Sequence, residues 1–266
     1  MGDAGGMAWE RVTLEFDGDV AVLSLNHPET RNALSWALAS EMCEALDCLG
    51  SARALVIPGA GKGFCSGGDM GSEVPEGKQF GDMLLDGLNG SVNPMLRKLA
   101  ALRIPVIAAV NGAAAGAGAP LALSADFVLA GGGAFFFFAF PNVGLALDAG
   151  ASWVLPRLVG TARATEALML AERIPAAKAL DWGMIYKVVP DAELMEQAVA
   201  LARRLAAGPT VSYGLIRKAM RAAQNRSYDE ALEIEADAQR VSGNSKDCAE
   251  AVSAFLEKRA PVFRGE

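Results

Sequence analysis

Ile104-Pro-Val-Ile-Ala-Ala-Val-Asn-Gly-Ala-Ala-Ala-Gly-Ala-Gly-Ala-Pro-Leu-Ala-Leu-Ser-Ala-Asp126 is the stretch that decides the fold. It opens on a short apolar run, Val106 to Val110, bounded by Pro105 and Asn111-Gly112, which predicts a buried strand. Gly112 to Gly118 then carry no side chain larger than a methyl. A second apolar run, Leu121 to Ala125, has helical spacing. A strand, a bare turn and a helix start aim backbone N–H groups at something negatively charged. The missing side chains let that group come close. The same residues would also make a tight strand-to-helix packing corner, and this stretch alone does not choose between the two.

Working outward, 266 residues suffice for one large domain or two small ones. A hydrophobic content of 52% with 21% charged residues excludes a disordered chain. The net charge of −7 argues against a nucleic-acid binder, which needs a basic face. Cys43, Cys48, Cys65 and Cys248 have no CxxC spacing, so reduced thiols in a cytoplasmic protein are expected rather than a zinc site or disulfides. The one histidine, His27, precedes Pro28 and reads as a turn residue, which disfavours a histidine-based triad. No segment reads as a signal peptide, and no apolar run approaches the ~20 residues of a membrane span. Met1 to Met7 reads as a loose lead-in.

Along the chain, Val12–Phe16 and Val20–Leu25 alternate across Asp17-Gly18-Asp19, a hairpin pattern. A helix is expected over Ser35–Leu49, with Leu38, Met42, Ala45, Leu46 and Leu49 on one face. Ala54–Ile57 reads as a strand running into a glycine-rich turn. Met70–Gln79 reads as a mobile loop, and Phe80–Leu102 as helix interrupted near Gly90 and at Pro94. Phe127–Ala130 and Phe135–Phe138 are expected strands, the latter buried on both faces. Pro141–Gly150 is a loop before helical segments, and Ile185–Val189 a further strand. Helices are expected over 191–207, 210–223, 227–242 and 246–259. The pattern is α/β, with repeated strand–strand–helix units over residues 1–192 and an all-helical region over 193–266.

Four motifs in order then identify a family resemblance. Arg31-Asn-Ala-Leu34, Gly63-Phe-Cys-Ser-Gly-Gly-Asp-Met70, Pro105–Gly112 with Gly116-Ala-Gly118, and Leu155-Pro-Arg-Leu-Val-Gly160 resemble the crotonase (enoyl-CoA hydratase/isomerase) superfamily over almost the whole chain. Phe255–Phe263 looks like that family's ending. The resemblance implies a spiral of ββα units, a C-terminal helical trimerisation region giving a homotrimer or dimer of trimers, and an acyl-CoA thioester ligand. It also implies no cofactor beyond the coenzyme A of the substrate, no metal, and no nucleic-acid or membrane partner. By matching positions, the amides of Gly68 and Ala117 would hold the thioester oxygen. Arg31 would lie near the phosphates and the Ala33 backbone along the nucleotide. Ser66 and Met70 would line the adenine pocket, with Asp69 shaping that turn. Arg264 would reach a neighbouring subunit's nucleotide.

Hydration requires one group to activate water and another to deliver a proton. At the family's two glutamate positions this chain has Pro120 and Asn142, and neither transfers protons. Between Asn111 and Trp153 the acids are Asp126 and Asp148. Asp126 opens a strand and reads as structural. Asp148 lies among Leu145, Ala146, Leu147, Ala149 and Trp153, an apolar setting that would raise its pKa. It reads equally as an N-cap of a helix beginning near Ala149. Val143–Asp148 with Ser152-Trp153 and Leu155-Pro-Arg157 resembles the phenylacetyl-CoA catabolic isomerase branch, which implies that Asp148 is the acid/base.

Three activities fit these residues. An enoyl-CoA isomerase needs Asp148 alone, including a variant that opens an aryl-acetyl-CoA epoxide. A hydratase needs a second acid such as Glu73 or Glu76. An acyl-CoA-binding protein needs neither. Met83, Leu84, Leu88, Phe138 and Trp153 are candidates for the acyl pocket wall.

Overall fold

A computed structural model describes residues 9–69, 71 and 73–266; the lead-in Met1–Met7 and the candidate ligand residue Met70 lie outside the described residues. β1 (Val12–Asp17) and β2 (Val20–Leu25) pair antiparallel from Val12↔Leu25 to Asp17↔Val20, as the alternation predicts. α1 (Trp36–Ala45) starts on Ser35, whose hydroxyl oxygen accepts from the Leu38 N–H at 3.2 Å. β3 (Ala54–Pro58) and β4 (Gly63–Cys65) follow. The interrupted helical pattern resolves into α2 (Phe80–Gly87), a π-helical turn at Leu88–Val92 and α3 (Asn93–Ala101). Pro94 accounts for the break, since it lacks an N–H and its ring crowds the carbonyl four residues back.

Next come β5 (Val106–Val110), β6 (Ala113–Ala115), α4 (Gly118–Leu123), β7 (Phe127–Gly131) and β8 (Phe135–Phe137). α5 (Ala151–Leu170) contains a break at Gly160, which has φ 76° and ψ 163°. β9 (Ile174–Pro175), α6 (Ala176–Asp181) and β10 (Lys187–Val189) precede four helices. These are α7 (Leu194–Ala206), α8 (Thr210–Ala223), α9 (Tyr228–Gly243) and α10 (Lys246–Glu257).

The strands form a six-stranded sheet, β1-β2-β3-β5-β7-β10, and a four-stranded sheet, β4-β6-β8-β9. In each pair β3/β4, β5/β6 and β7/β8 the first strand joins the large sheet and the second the small one. This is the ββα spiral. β4 and β6 are a departure from the sequence reading, which took Gly59–Gly63 and Gly112–Gly118 as turns. β6 is three alanines and β4 is Gly63-Phe64-Cys65, too short for a period-2 pattern, and the neighbouring ladder makes them. Phe135–Phe138 also departs from expectation: Phe136 and Phe138 are fully buried, but Phe135 and Phe137 are half-exposed. The Arg173 guanidinium lies 4.7 Å over the Phe135 ring.

The large sheet is buried on both faces. Leu55, Ile57, Val106, Ala108 and Val110 point into the main core, while Ala54, Val56, Ile107 and Ala109 meet α7. α7 presents Leu194, Ala198, Ala202 and Ala206 at four-residue spacing, and its small side chains let it lie close to the sheet. α8 is fixed by Arg217, whose side chain is only 6% exposed. Its Nε donates to Asp126 Oδ2 at 2.6 Å and its Nη1 donates to the Leu102 carbonyl. Asp126 also accepts from the Val106 N–H at 2.8 Å, the structural role expected of it.

Candidate active site

β4, β6 and β8 run parallel and adjacent, so their exits lie side by side. The exit of β4 is Ser66-Gly67-Gly68, that of β6 is Gly116-Ala117, and that of β8 is the segment from Phe138 to Gly150. A short 3₁₀ turn, Phe140–Val143, begins this last segment. The spiral thus gathers three separate stretches at one edge, where parallel sheets carry their ligands.

The two glycine turns touch. Gly67 takes φ 101°, and a Cβ there would stand 3.0 Å from the Ala115 carbonyl oxygen and 3.3 Å from Gly116 Cα. Gly116 takes φ 48°, and a Cβ on it would come within 4.0 Å of the Gly68 nitrogen. Gly118 lies over β4: a Cβ there would be 2.6 Å from the Cys65 carbonyl and 2.8 Å from its Sγ. The packing-corner reading of the opening stretch holds at one glycine. Gly118 is a packing corner, while among the described residues neither the Gly68 nor the Ala117 N–H has a protein acceptor. Ala117 is also the N-cap of α4, where the helix dipole adds positive potential. A Cβ on Gly68 would meet nothing within 4 Å, so open space lies beside its Cα.

The Arg31–Leu34 segment is zipped against this edge. The Leu34 N–H donates to the Gly67 carbonyl at 2.7 Å and the Ser66 N–H to the Arg31 carbonyl at 3.0 Å. Ser66 Oγ donates to the Thr30 carbonyl, and Asp69 Oδ1 accepts from the Gly71 N–H at 2.9 Å, closing its own turn. The Ala33 N–H is already engaged by Thr30 Oγ1 at 3.3 Å. The organising residue is one that the sequence reading passed over. Asn32, fully buried at φ 56°, donates from Nδ2 to the carbonyls of Ala60, Gly63 and Phe64 and accepts at Oδ1 from the His27 N–H. Its position between Arg31 and Ala33 in a polar turn is the one signal that could have marked it.

Arg31, Ala33, Ser66, Gly68 and Asp69 therefore share one edge. Arg264 does not join them within the protomer. Its N–H donates to Asp247 Oδ1 at 2.7 Å, and the Phe263 carbonyl accepts from Arg53, which precedes β3. The glycine turns lie beyond the other end of that strand, about 16 Å away for five residues.

Asp148 lies in the β8 exit, just before α5, which packs on α4. Its Oδ1 is buried without a partner, and burial pushes the carboxyl up to about 6. The N-cap reading is corrected: α5 begins at Ala151, its N-cap is Gly150, and no side chain caps it. Cys65, beneath Gly118, is pushed up to about 11 by burial and is not a nucleophile. Among the acyl-wall candidates Phe138 is core, whereas Met83, Leu84, Leu88 and Trp153 are half-buried.

The family model described as enoyl-CoA hydratase/isomerase matches residues 15–266. The chain belongs to the enoyl-CoA hydratase/isomerase family. A Rhodobacter capsulatus protein named "Probable enoyl-CoA hydratase" is 42% identical over 97% of this chain and 100% of its own length. The 1,2-epoxyphenylacetyl-CoA isomerase of Escherichia coli is 42% identical over 93% of this chain and 95% of its own, in line with the branch resemblance. The solved enoyl-CoA hydratase of Polaromonas sp. JS666 superposes with a TM-score of 0.90 at 32% identity, covering 95% of this chain and 99% of that one. In this enoyl-CoA hydratase/isomerase, Pro120 is buried inside α4 and Asn142 is exposed in the 3₁₀ turn. Among the described residues, no helix is long and apolar enough to cross a membrane.

Proposed function

We propose that this member of the family is an enoyl-CoA isomerase with Asp148 as its acid/base. The observation that carries the reading is the Asp148 carboxyl, desolvated, unpartnered at Oδ1 and titrating near 6. A base with that pKa is ionised at neutral pH yet returns a proton readily. The thioester oxygen accepts from the Gly68 and Ala117 amides, so the carbon next to the carbonyl, or the vinylogous one, becomes acidic. Asp148 takes that proton, the electrons move into a dienolate whose oxygen stays in the two-amide hole, and the same carboxyl protonates the other carbon. Each amide contributes ~3–4 kcal/mol to lowering the barrier.

The Escherichia coli relative's name favours an aryl-acetyl-CoA epoxide as a variant substrate, and the Rhodobacter relative's name supports hydration as the second reading. For coenzyme A, Arg31 serves the phosphates, the Ala33 backbone follows the nucleotide, and Ser66 with the Asp69 turn and Met70 lines the adenine. No cofactor beyond coenzyme A is needed. Residues 193–266 form the oligomerisation region of a homotrimer or dimer of trimers, in which Arg264 reaches a neighbour's nucleotide.

Straight-chain and aromatic 3-enoyl-CoA thioesters in deuterated water test the reading. The isomer carrying deuterium is expected, with Asp148→Asn lowering kcat by about 10²-fold or more. Full activity in Asp148→Asn would sink the proposal. Formation of 3-hydroxyacyl-CoA from 2-enoyl-CoA would establish the hydratase, and tight binding without label would leave a binding protein.

A further inference from the structure

The turn that presents Asp148 is built against local preference. The Asp148 carbonyl accepts from the Ala151 N–H at 2.9 Å, closing a turn over Ala149 at φ 50° and Gly150 at φ 81°. Left-handed backbone suits glycine and strains alanine. Among the described residues, the other non-glycine residues at positive φ have ordinary reasons for it. Arg31, Ala171 and Lys258 close helical turns, and Asn32 is an asparagine. Ala149 stands at the entrance of a helix, where no such role applies.

What glycine would lack at 149 is the methyl group. Ala149 is 4% exposed and belongs to the main hydrophobic core. Ala149 and Gly150 themselves line a cavity of about 850 Å³, together with Trp153, Val154, Met220 and Arg221. The turn is thus loosely packed on the cavity side, and the Ala149 methyl is its contact with the core. Immediately before it, Asp148 Oδ1 is buried with no partner. Burial alone raises this carboxyl; no charged side chain among the described residues acts on it.

We infer that Ala149 is a positioning residue: its core-packed methyl locks the left-handed turn that keeps Asp148 Oδ1 out of water. The inference rests on Asp148 being the proposed base only for its kinetic consequence. A relaxed turn lets the carboxylate swing to solvent and hydrate.

The test compares Ala149→Gly with Gly150→Ala in the full-length protein. The Asp148 side-chain carboxyl is titrated by ¹³C NMR and assigned by difference from Asp148→Asn. Ala149→Gly relieves strain but frees the turn. Its midpoint is expected to fall from about 6 toward an ordinary carboxylate, with kcat on the order of 10-fold to 100-fold lower and KM within about twofold. Gly150→Ala adds strain at φ 81° with nothing within 4 Å of the new Cβ. It should lower the melting temperature and leave the midpoint near 6. A midpoint near 6 in Ala149→Gly, or midpoints that follow stability in both variants, overturns the inference. The titration needs no turnover, so active Asp148→Asn protein would sink the isomerase reading without touching this one.

Discussion

Single residues at the site divide into those the fold requires and those it leaves free. Gly118 cannot carry a side chain because the Cys65 carbonyl crowds the place of a Cβ, and Gly67 is held to glycine by its φ of 101° and a tight approach to Ala115, whereas Gly68 has open space beside its Cα. Ala117 offers a clean probe, since its φ of −62° is the value a proline ring imposes. Ala117→Pro removes one amide donor at little cost to the backbone. It should lower kcat about 10²- to 10³-fold while circular dichroism and melting temperature stay close to the parent; an unchanged kcat would contradict the two-amide hole. Asp148 makes a second prediction, about stability. Its folded pKa of about 6 exceeds the ordinary 3.8, so between these values the folded state keeps a proton that the unfolded chain releases. Folding stability therefore falls as pH rises through that window, by about 3 kcal/mol once complete. Urea unfolding should find Asp148→Asn equal to the parent near pH 4 and up to about 3 kcal/mol more stable at pH 8. Equal stabilities at pH 8 would mean that the carboxylate is well solvated. The glycines and Asp148 were legible in the sequence through motif order. Asn32 was not, because its importance lies in three carbonyls 28 to 32 residues away.

Elements were legible where their pattern is local. The hairpin, the four terminal helices and the interruption ahead of Pro94 follow from alternation, helical spacing and a missing N–H. The short strands β4 and β6 escaped, because a three-residue strand is defined by its partners rather than by itself. The entrance to α5 escaped for a related reason: Asp148 looks like a cap in sequence, yet two left-handed residues intervene before the helix. The break inside α5 supplies the prediction at this scale. Gly160, at φ 76° and ψ 163°, occupies a region that only glycine enters readily. Gly160→Ala should cost about 1–3 kcal/mol in chemical denaturation without changing KM. No loss of stability would mean that the kink relaxes into continuous helix.

At the scale of the whole molecule, the sequence boundary at residue 192 separates strands from helices but not core from appendage. α7 covers the outer face of the large sheet, and Arg217 ties α8 to Asp126 across 91 residues of sequence. Neither link has a local signature. Beyond them Phe255 and Leu256 stand 81% and 74% exposed, too apolar to face water by preference. Light scattering should give a mass three or six times the 27.7 kDa chain, and Phe255→Glu with Leu256→Glu should shift it toward single chains with the helical signal retained. A monomeric parent would remove the basis for Arg264 acting across subunits. The cover that Gly118 places on Cys65 also makes the protein its own clock. That thiol ionises only near 11 and has backbone packed against its sulfur. Alkylation there has to wait for α4 to lift off β4. The rate at which an alkylating reagent labels Cys65, set against that of the half-exposed Cys43, Cys48 and Cys248, would therefore time how often the floor of the proposed thioester site breathes open, and a bound ligand should slow it.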